Sequence, residues 1–464
     1  MREWEQATWT AGATEADVIA RVGRRVAQVA LRLTNPGDRL LLLAGKGNNG
    51  QDVRASVNHL DSRSIELLSM EAPEAGLAAL EKLLSPRPAL IIDGLFGIGL
   101  NRPLNSQWCA LLRRVNESGV PVLSLDVPSG LDAGTGKIGE AAIEAAVTLT
   151  VGAPKTGMLL EEAWPYVGRL EVADGVGLVP PPFTTDLQWT LPSDFTGFPP
   201  ARPAATHKGT YGHLAILAGS LGFHGAAVLA TRGAQRAQPG LVTLHTLEST
   251  FAVVASQLQA AMVAPWQMDT KLQGPWSAIL IGPGLAGQDV SDKIRLLTRQ
   301  LWCDSTLPLV VDASALDWLP LDHSPRAAIR VITPHPGEAA RLLQTTPQKV
   351  QANRSAALRK LSEKFGDAWV VLKGHQTLVG RSTGPVYFNC SGNPHMAQGG
   401  SGDLLAGYIA GLLAQPPLRA DVTKTVRYAV WQHGAAADLL QAARRNWIVE
   451  DLADALGNAR PDQF

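Results

Sequence analysis

Gly392-Asn393-Pro394-His395-Met396-Ala397-Gln398-Gly399-Gly400-Ser401-Gly402-Asp403 runs directly into an apolar segment at residues 404–413. Glycines crowd a turn, an acid closes it, and a helix-forming run follows. Without Cβ atoms in the way, backbone N–H groups can converge on an anion, and a helix N-terminus adds favourable partial charge. A lone carboxylate there repels phosphate. It is better placed to take a proton from a hydroxyl that is about to receive phosphate. One glycine before Asp403 would read as a turn with the acid as helix N-cap. Gly399, Gly400 and Gly402 crowded before Asp403 point instead to phosphate chemistry, with Asp403 as the proton acceptor.

Upstream, the second half repeats one pattern. Apolar runs at 213–218, 277–281, 309–312, 330–333 and 368–373 each end in a polar or glycine-containing loop. Strands alternating with helices in this way predict a mostly parallel sheet. The small residues Gly225-Ala226-Ala227 suit either a ligand at a helix start or close packing on a neighbouring strand. His335, rigid between Pro334 and Pro336, is either a core histidine or a ligand contact. Lys373 beside Gly374 is either a surface residue or an ammonium for a nucleotide phosphate.

The first half has the same character. Val18, Ile19, Val22, Val26, Val29, Ala30 and Leu33 share one face of a predicted helix over residues 14–33. Leu40-Leu41-Leu42-Leu43-Ala44 reads as a buried parallel strand feeding Gly45-Lys46-Gly47-Asn48-Asn49-Gly50-Gln51-Asp52. Gly45, Gly47 and Gly50 form a GxGxxG, the dinucleotide-binding fingerprint, which alone is a weak signal. Asn48 and Asn49 either cap the next helix or direct oxygens into a site. Two further strand ends favour the site: Asp93-Gly94-Leu95-Phe96-Gly97-Ile98-Gly99-Leu100-Asn101-Arg102-Pro103, and Asp126-Val127-Pro128-Ser129-Gly130-Leu131-Asp132. Ligands of open α/β sheets bind beyond the carboxyl ends of the strands. Hard oxygen donors there suit an alkali or alkaline-earth cation and not zinc or iron.

These residues carry two resemblances. Asn48-Asn49-Gly50-x-Asp52, Asp93-Gly94-Leu95-Phe96-Gly97-x-Gly99 and Asp126-x-Pro128-Ser129-Gly130-Leu131-Asp132 resemble the NAD(P)H-hydrate epimerases. Residues 146–150, Lys155 and Gly168-Arg169-Leu170 also fit. The resemblance implies a K+ ion on Asn49, Asp93 and Ser129. It implies a hydrated dinucleotide cradled by Asn48, Asn49, Gly50, Gln51 and Asp52 and by Gly97, Ile98, Gly99, Leu100, Asn101, Arg102 and Pro103. Asp126 would be the acid/base against the substrate. A short N-terminal helical segment and Arg54-Ala55 depart from the family, both in the pocket wall.

The second half resembles the ADP-dependent NAD(P)H-hydrate dehydratases of the ribokinase-like fold. It does so in Lys208-Gly209-x-x-Gly212, Gly225-Ala226-Ala227, Gly282-Pro283-Gly284-Leu285, Thr333-Pro334-His335-Pro336-Gly337-Glu338, Lys373-Gly374-x-x-Thr377 and Gly399-Gly400-x-Gly402-Asp403. That implies hydrate contacts at Ala226, Gly284, His335 and Asp403. It implies nucleotide contacts at Lys373, Gly374, His375, Gln376, Thr377, Gly399, Gly400 and Gly402, with Mg2+ accompanying ADP. Departures are Ser314, where a second acid is frequent, and Gln238-Pro239-Gly240.

The totals agree. A chain of 464 residues exceeds one ordinary core. The expectation is a Rossmann-like three-layer αβα domain over 1–190 and a ribokinase-like αβα domain over 191–464, both with mostly parallel sheets. The proline-rich stretch 179–206 reads as an extended connector. Equal numbers of basic and acidic residues, 41 each, argue against nucleic acid or membrane as the main partner. Cys109, Cys303 and Cys390 are scattered, so neither a disulfide framework nor zinc is expected. No stretch has the order of a signal peptide or the length of a membrane span, so a cytoplasmic enzyme is expected; a homo-oligomer is expected as well. Its substrates would be the hydrates of NADH and NADPH, together with ADP. The epimerase would interconvert R and S hydrates and the dehydratase would restore the S form, releasing AMP. The alternative is a vitamin-precursor kinase of the same fold joined to a non-catalytic dinucleotide-binding module. A Rossmann oxidoreductase has only the GxGxxG in its favour.

Overall fold

A computed structural model describes residues 1–70, 72–100, 102–266, 272, 274–321 and 328–463. They form two compact units, Met1–Thr184 and Thr185–Phe464. Each is built on its own sheet.

In the first unit the strands are β1 (Arg39–Ala44), β2 (Ser64–Ser69), β3 (Leu90–Gly94), β4 (Val122–Leu125), β5 (Val147–Val151) and β6 (Arg169–Ala173). They lie in the order β2-β1-β3-β4-β5-β6, every pairing parallel. Successive side chains of a strand point to opposite faces. Leu40, Leu42 and Ala44 therefore pack with Val18, Val22, Val26, Val29 and Ala30 of the helix Glu15–Leu33, while Leu41 and Leu43 pack with Leu111, Leu112 and Val115 of the helix Ser106–Glu117. A continuous apolar run is what a strand buried on both faces requires. Three αβα layers follow. Thr14 starts the first of these helices by accepting from the Asp17 amide at 3.1 Å; Leu33, expected on its apolar face, is exposed.

The second unit contains β7 (Leu187–Trp189), β8 (His213–Leu217), β9 (Leu241–Thr246), β10 (Met262–Pro265), β11 (Ala278–Ile281), β12 (Leu309–Val311), β13 (Arg330–Ile332), β14 (Trp369–Leu372), β15 (Leu378–Gly380) and β16 (Val386–Phe388). Their order is β10-β9-β8-β11-β12-β13-β14-β15-β16-β7. Only the β14–β15 and β15–β16 pairings are antiparallel. On one face the helices His224–Arg236, Ser401–Leu413 and Val422–Ala443 close over Leu214, Ile216, Leu280, Val310, Val331 and Val371. The strands predicted in the second half thus lie side by side as β8, β11, β12, β13 and β14.

The connector expected over 179–206 contains two short ordered elements. Residues 187–189 pair with β16 as an edge strand. Pro192 opens a short 3-10 turn, and that turn buries Phe195 completely against Tyr428 and Trp431 at ring separations of 5.5 and 5.3 Å. Proline is at home in the first turn of a helix, where its missing N–H costs nothing. The apolar residues between the prolines supply the anchoring. Among the described residues no helix is long and apolar enough to cross a membrane.

Candidate functional site

In the first unit, β1, β3 and β4 are neighbours, with Leu43 opposite Asp93 and Asp93 opposite Ser124. Their carboxyl ends therefore carry Asn48, Asp93 and Asp126 to one rim. Neither asparagine is a cap. Gly47 is the N-cap of the helix Asn48–Ser56, and both amides sit in its first turn. Asn49 Nδ2 donates to the carbonyls of Phe96 (3.0 Å) and Leu125 (2.9 Å), and Asn48 Nδ2 to Glu15 (2.8 Å). A Cβ at Gly97 would lie 2.6 Å from the Asn49 amide, so this approach demands glycine.

Asp93 is buried and accepts from Ser129 Oγ (2.7 Å), Ser129 N (3.0 Å), Ser124 Oγ (2.9 Å) and Leu95 N (3.2 Å). Burial, outweighing these hydrogen bonds, holds its carboxyl above the usual range. Its partners are all neutral, and among the described residues no cationic side chain pairs with it. A buried carboxylate without a cation beside an amide, a hydroxyl and backbone carbonyls is a donor set that fits an alkali ion.

Asp126 follows β4 with φ +65°, a conformation unusual for a side chain-bearing residue. Its Oδ1 receives Lys155 Nζ and the Val151 amide at 3.2 Å. Lys155 is itself held by Thr150 Oγ1 (2.7 Å) and the Val151 carbonyl (3.0 Å). Above this rim lies a cavity of about 570 Å³. Asn48, Asn49, Asp52, Gly97, Ile98, Gly99, Leu100, Arg102 and Asp126 line it, as do Arg2, Glu5 and Trp9 of the N-terminal helix.

Three expected cradle residues do not line it. Gly50 is packed against Gly45, whose carbonyl a Cβ would meet at 2.0 Å; Gln51 is exposed on the helix surface; Pro103 is exposed beyond the loop. Helix periodicity turns Gln51 outward while presenting Asn48, Asn49 and Asp52 together. Asn101 lies outside the described residues. Arg54 donates to the carbonyls of Gly45 (3.0 Å) and Ala44 (3.3 Å), bracing the glycine loop.

In the second unit the strand ends β12, β13 and β14 carry Asp312, His335 and Lys373. Gly400, with φ +92°, is the N-cap of the helix Ser401–Leu413, leaving Asp403 in its first turn and not as a cap. A Cβ at Gly402 would sit 3.2 Å from Lys373 Nζ. That ammonium donates to Asp312 Oδ1 at 2.8 Å and lies 3.8 Å from Glu338 Oε2. Burial pulls Lys373 down, but Asp312, Glu338 and Asp403 together more than offset it and the group stays raised. Asp403 has its carboxyl pushed up to about 7, by burial first and then by the charge of Asp312. A carboxyl titrating near neutrality is well matched to general-base work.

His335 is the N-cap of the helix Pro336–Leu342. Its Nδ1 accepts from the Gly337 (3.0 Å) and Glu338 (3.3 Å) amides, and Glu338 returns a bond to the His335 N–H at 2.7 Å. The ring is half-exposed, so it is not a core histidine. Gly284, φ +65°, abuts Ala226 and the Phe223 carbonyl. Small residues are needed on both sides of that contact.

Asp312, at the end of the run 309–312, and Glu338 are two acids to which the motifs assign no role. The acid closing an apolar strand at Asp312 was the available signal. Arg354 left none. From the helix Arg354–Lys364 it is buried and donates to the carbonyls of Leu372 (3.1 Å), Lys373 (3.3 Å), Gln376 (3.4 Å) and His375. It thereby sets the shape of the loop Lys373-Gly374-His375-Gln376-Thr377.

A family model described as NAD(P)H-hydrate dehydratase matches residues 214–461. Another, described as YjeF-related protein N-terminus, matches residues 69–157. The bifunctional NAD(P)H-hydrate repair enzyme Nnr of Coxiella burnetii is 33% identical over 480 residues, covering 97% of this chain and 96% of that protein. The protein of the same name from Escherichia coli K12 is 32% identical and covers 96% and 89%. Among solved structures, the ADP/ATP-dependent NAD(P)H-hydrate dehydratase of Bacillus subtilis co-crystallised with ATP/Mg2+ is 30% identical. It covers 59% of this chain and 98% of its own, with a TM-score of 0.54.

Proposed function

The chain belongs to the bifunctional NAD(P)H-hydrate repair enzymes, and from that premise we propose how its residues divide the work. The first unit epimerises R and S hydrates of NADH and NADPH. The second dehydrates the S form at the expense of ADP, releasing phosphate and AMP. The observation that carries the dehydratase assignment is Asp403, half-buried in the first turn after Gly400 and titrating near neutrality.

Asp403 takes the proton of the ring hydroxyl as that oxygen attacks the terminal phosphate of the nucleotide. N–H groups of Gly399, Gly400 and Gly402, at a helix N-terminus, face the charge that develops. Hydroxide leaves poorly and phosphate well, so the C–O bond breaks with its electron pair on the phosphate, the adjacent ring carbon loses a proton to solvent, and the C=C bond that forms restores the nicotinamide. Asp312, Glu338 and Asp403 share one ammonium, Lys373, an excess of negative charge that fits Mg2+ with the nucleotide. Asp312 and Glu338 would hold Mg2+, which would neutralise phosphate charge. Ala226, Gly284 and His335 bound the hydrate, and Lys373, Gly374, His375, Gln376 and Thr377 bound the nucleotide.

In the first unit Asp126 is the acid/base against the hydrated carbon. Asn49, Asp93 and Ser129 would hold K+, which would fix the three loops relative to one another. The reading includes a cytoplasmic location and a homo-oligomer, the second of which sedimentation would check.

One assay tests the whole. Enzyme is given mixed R and S NADPH hydrates with ADP or ATP, with and without K+, and recovery of nicotinamide absorbance is followed. Complete recovery of both epimers with phosphate release is expected. A stable phosphorylated product without recovered absorbance would make the second unit a kinase instead.

A further inference from the structure

Of the carboxyl groups that face the cavity of the first unit, Asp126 and Asp52 have contrasting surroundings. Asp126 has one oxygen tied down: Oδ1 takes Lys155 Nζ, the Val151 amide at 3.2 Å and Thr150 Oγ1 at 3.5 Å. Its Oδ2 accepts no hydrogen bond among the described residues, so one oxygen of a charge-paired carboxylate is available to the cavity. Asp52 stands on the helix that follows β1 and is 6% exposed. It makes no hydrogen bond and no ion pair among the described residues, yet it lines the same cavity. β3 lies between β1 and β4 in the sheet, so the two carboxyls flank its end.

A buried carboxyl with no partner keeps its proton, because ionisation would leave an unpaired charge in a poorly solvated place. The charged groups around the cavity reinforce this. Glu5 faces it from the N-terminal helix, Glu15 from the helix Glu15–Leu33 and Asp126 from beyond β4. Arg2, Lys46 and Arg102 also line the wall, but none is within ion-pair distance of Asp52. Burial first, then Asp126, Glu15 and Glu5, push the Asp52 carboxyl up to about 8.

We propose that Asp52 is the proton donor that works opposite Asp126 in epimerisation. This rests on the epimerase reading of the first unit. The hydrated carbon carries a hydroxyl and is bonded to the ring nitrogen. Asp52 gives its proton to that hydroxyl oxygen. The C–O bond breaks with its electron pair and water departs, while the nitrogen lone pair closes a C=N bond. Water then adds to the other face and forms the new C–O bond. The C=N pair returns to nitrogen, and Asp126 Oδ2 takes the surplus proton. One proton has moved from Asp52 to Asp126, and nothing is oxidised or reduced. The reverse passage, or exchange with solvent, resets the pair. Opposed protonation of two neighbouring carboxyls is the pattern that assigns acid and base elsewhere.

The test uses the full-length chain with Asp52→Asn and Asp126→Asn, following R-to-S interconversion of NADPH hydrate chromatographically, without nucleotide and with spontaneous epimerisation subtracted. Asp52→Asn preserves shape and a hydrogen-bond donor but cannot give up a proton. It is expected to lower kcat about 100-fold, leave KM within about threefold, and abolish the decline in rate above pH about 8 that is expected of the wild type. An Asp52→Asn enzyme with wild-type kcat, or one that keeps the alkaline decline, while Asp126→Asn is inactive, overturns the assignment of Asp52 alone. If Asp126→Asn is also fully active, the epimerase reading itself has failed. Should Asp52→Asn not fold, the wild-type profile decides: a rate that does not decline between pH about 7 and about 9.5 overturns the proposal.

Discussion

Asp126 and Asp403 stand at equivalent places, each in a loop or first helical turn at the rim of a mostly parallel sheet, each with a lysine close by. Their surroundings differ in one respect. Lys155 donates to Asp126 itself, whereas Lys373 donates to Asp312. Asp403 therefore feels the burial and the negative neighbour more than the ammonium, and its carboxyl rises to about 7. For Asp403 a nearby ammonium counts for less than burial and a negative neighbour, because its hydrogen bond goes to Asp312. The first unit places its unpaired carboxyl at Asp52 instead, at about 8. Both units thus hold a carboxyl pushed up toward or past neutrality, and the proposed roles are opposite: Asp403 would lose its proton to act, Asp52 would keep it.

The comparison is most directly broken by Asp403→Asn. Dehydration with ADP is expected to fall by about 1,000-fold while R-to-S interconversion is unchanged, measured as phosphate release and chromatography on one preparation. Near-normal turnover would refute the general-base role. Asp126→Ala is the mirror experiment and has the next largest effect. Epimerisation falls about 100-fold, and dehydration of purified S hydrate keeps its wild-type rate.

A subtler prediction concerns pH. In the proposed mechanism Asp403 acts ionised, so dehydratase kcat/KM should climb as pH rises through about 7. Asp312→Asn removes the negative neighbour and releases Lys373 toward Asp403, so the rising limb should move to lower pH. A limb that stays in place would mean Asp403 is not the titrating group. The smallest effect is on stability. Folded Asp52 holds its proton up to about 8 where the ordinary value is 3.8, so the stability this confers is fully present below pH about 4 and is lost as pH rises toward 8. Asp52→Asn should therefore melt at a higher temperature than wild type at pH about 8 and at the same temperature at pH about 4. An equal or lower melting temperature at the higher pH would count against a protonated, unpaired Asp52.

How far the sites were legible depends on what kind of signal each residue leaves. Asp93 and Asp312 end apolar runs, and β3 and β12 could be placed from those runs alone, because strands buried on both faces are continuous in hydrophobicity. Edge strands were not visible: β2, Ser64–Ser69, and β7, Leu187–Trp189, are partly exposed and carry no such run. Among the expected cradle residues, Gln51 illustrates the limit. Its neighbours Asn48, Asn49 and Asp52 line the cavity, but one helical step turns Gln51 to solvent. Arg354 illustrates another, since an arginine within an ordinary helical pattern has nothing local to mark it as the clamp of a loop some twenty residues away.

What the sequence determined by itself was the ordering of chemistry along the chain: glycine-rich turns before helices, acids at strand ends, and two αβα units. Those follow from local rules of backbone freedom and hydrophobic period, which act over a few residues. The tertiary structure decided the charge states. Whether Asp403 or Asp52 carries a proton depends on burial and on the charges packed beside it, and these are set by contacts between residues up to dozens of positions apart. Gly399-Gly400-Ser401-Gly402-Asp403 on its own favours phosphate chemistry over a capped turn. Burial of Asp403, and the charge of Asp312 beside it, push its carboxyl up to about 7, and both come from packing.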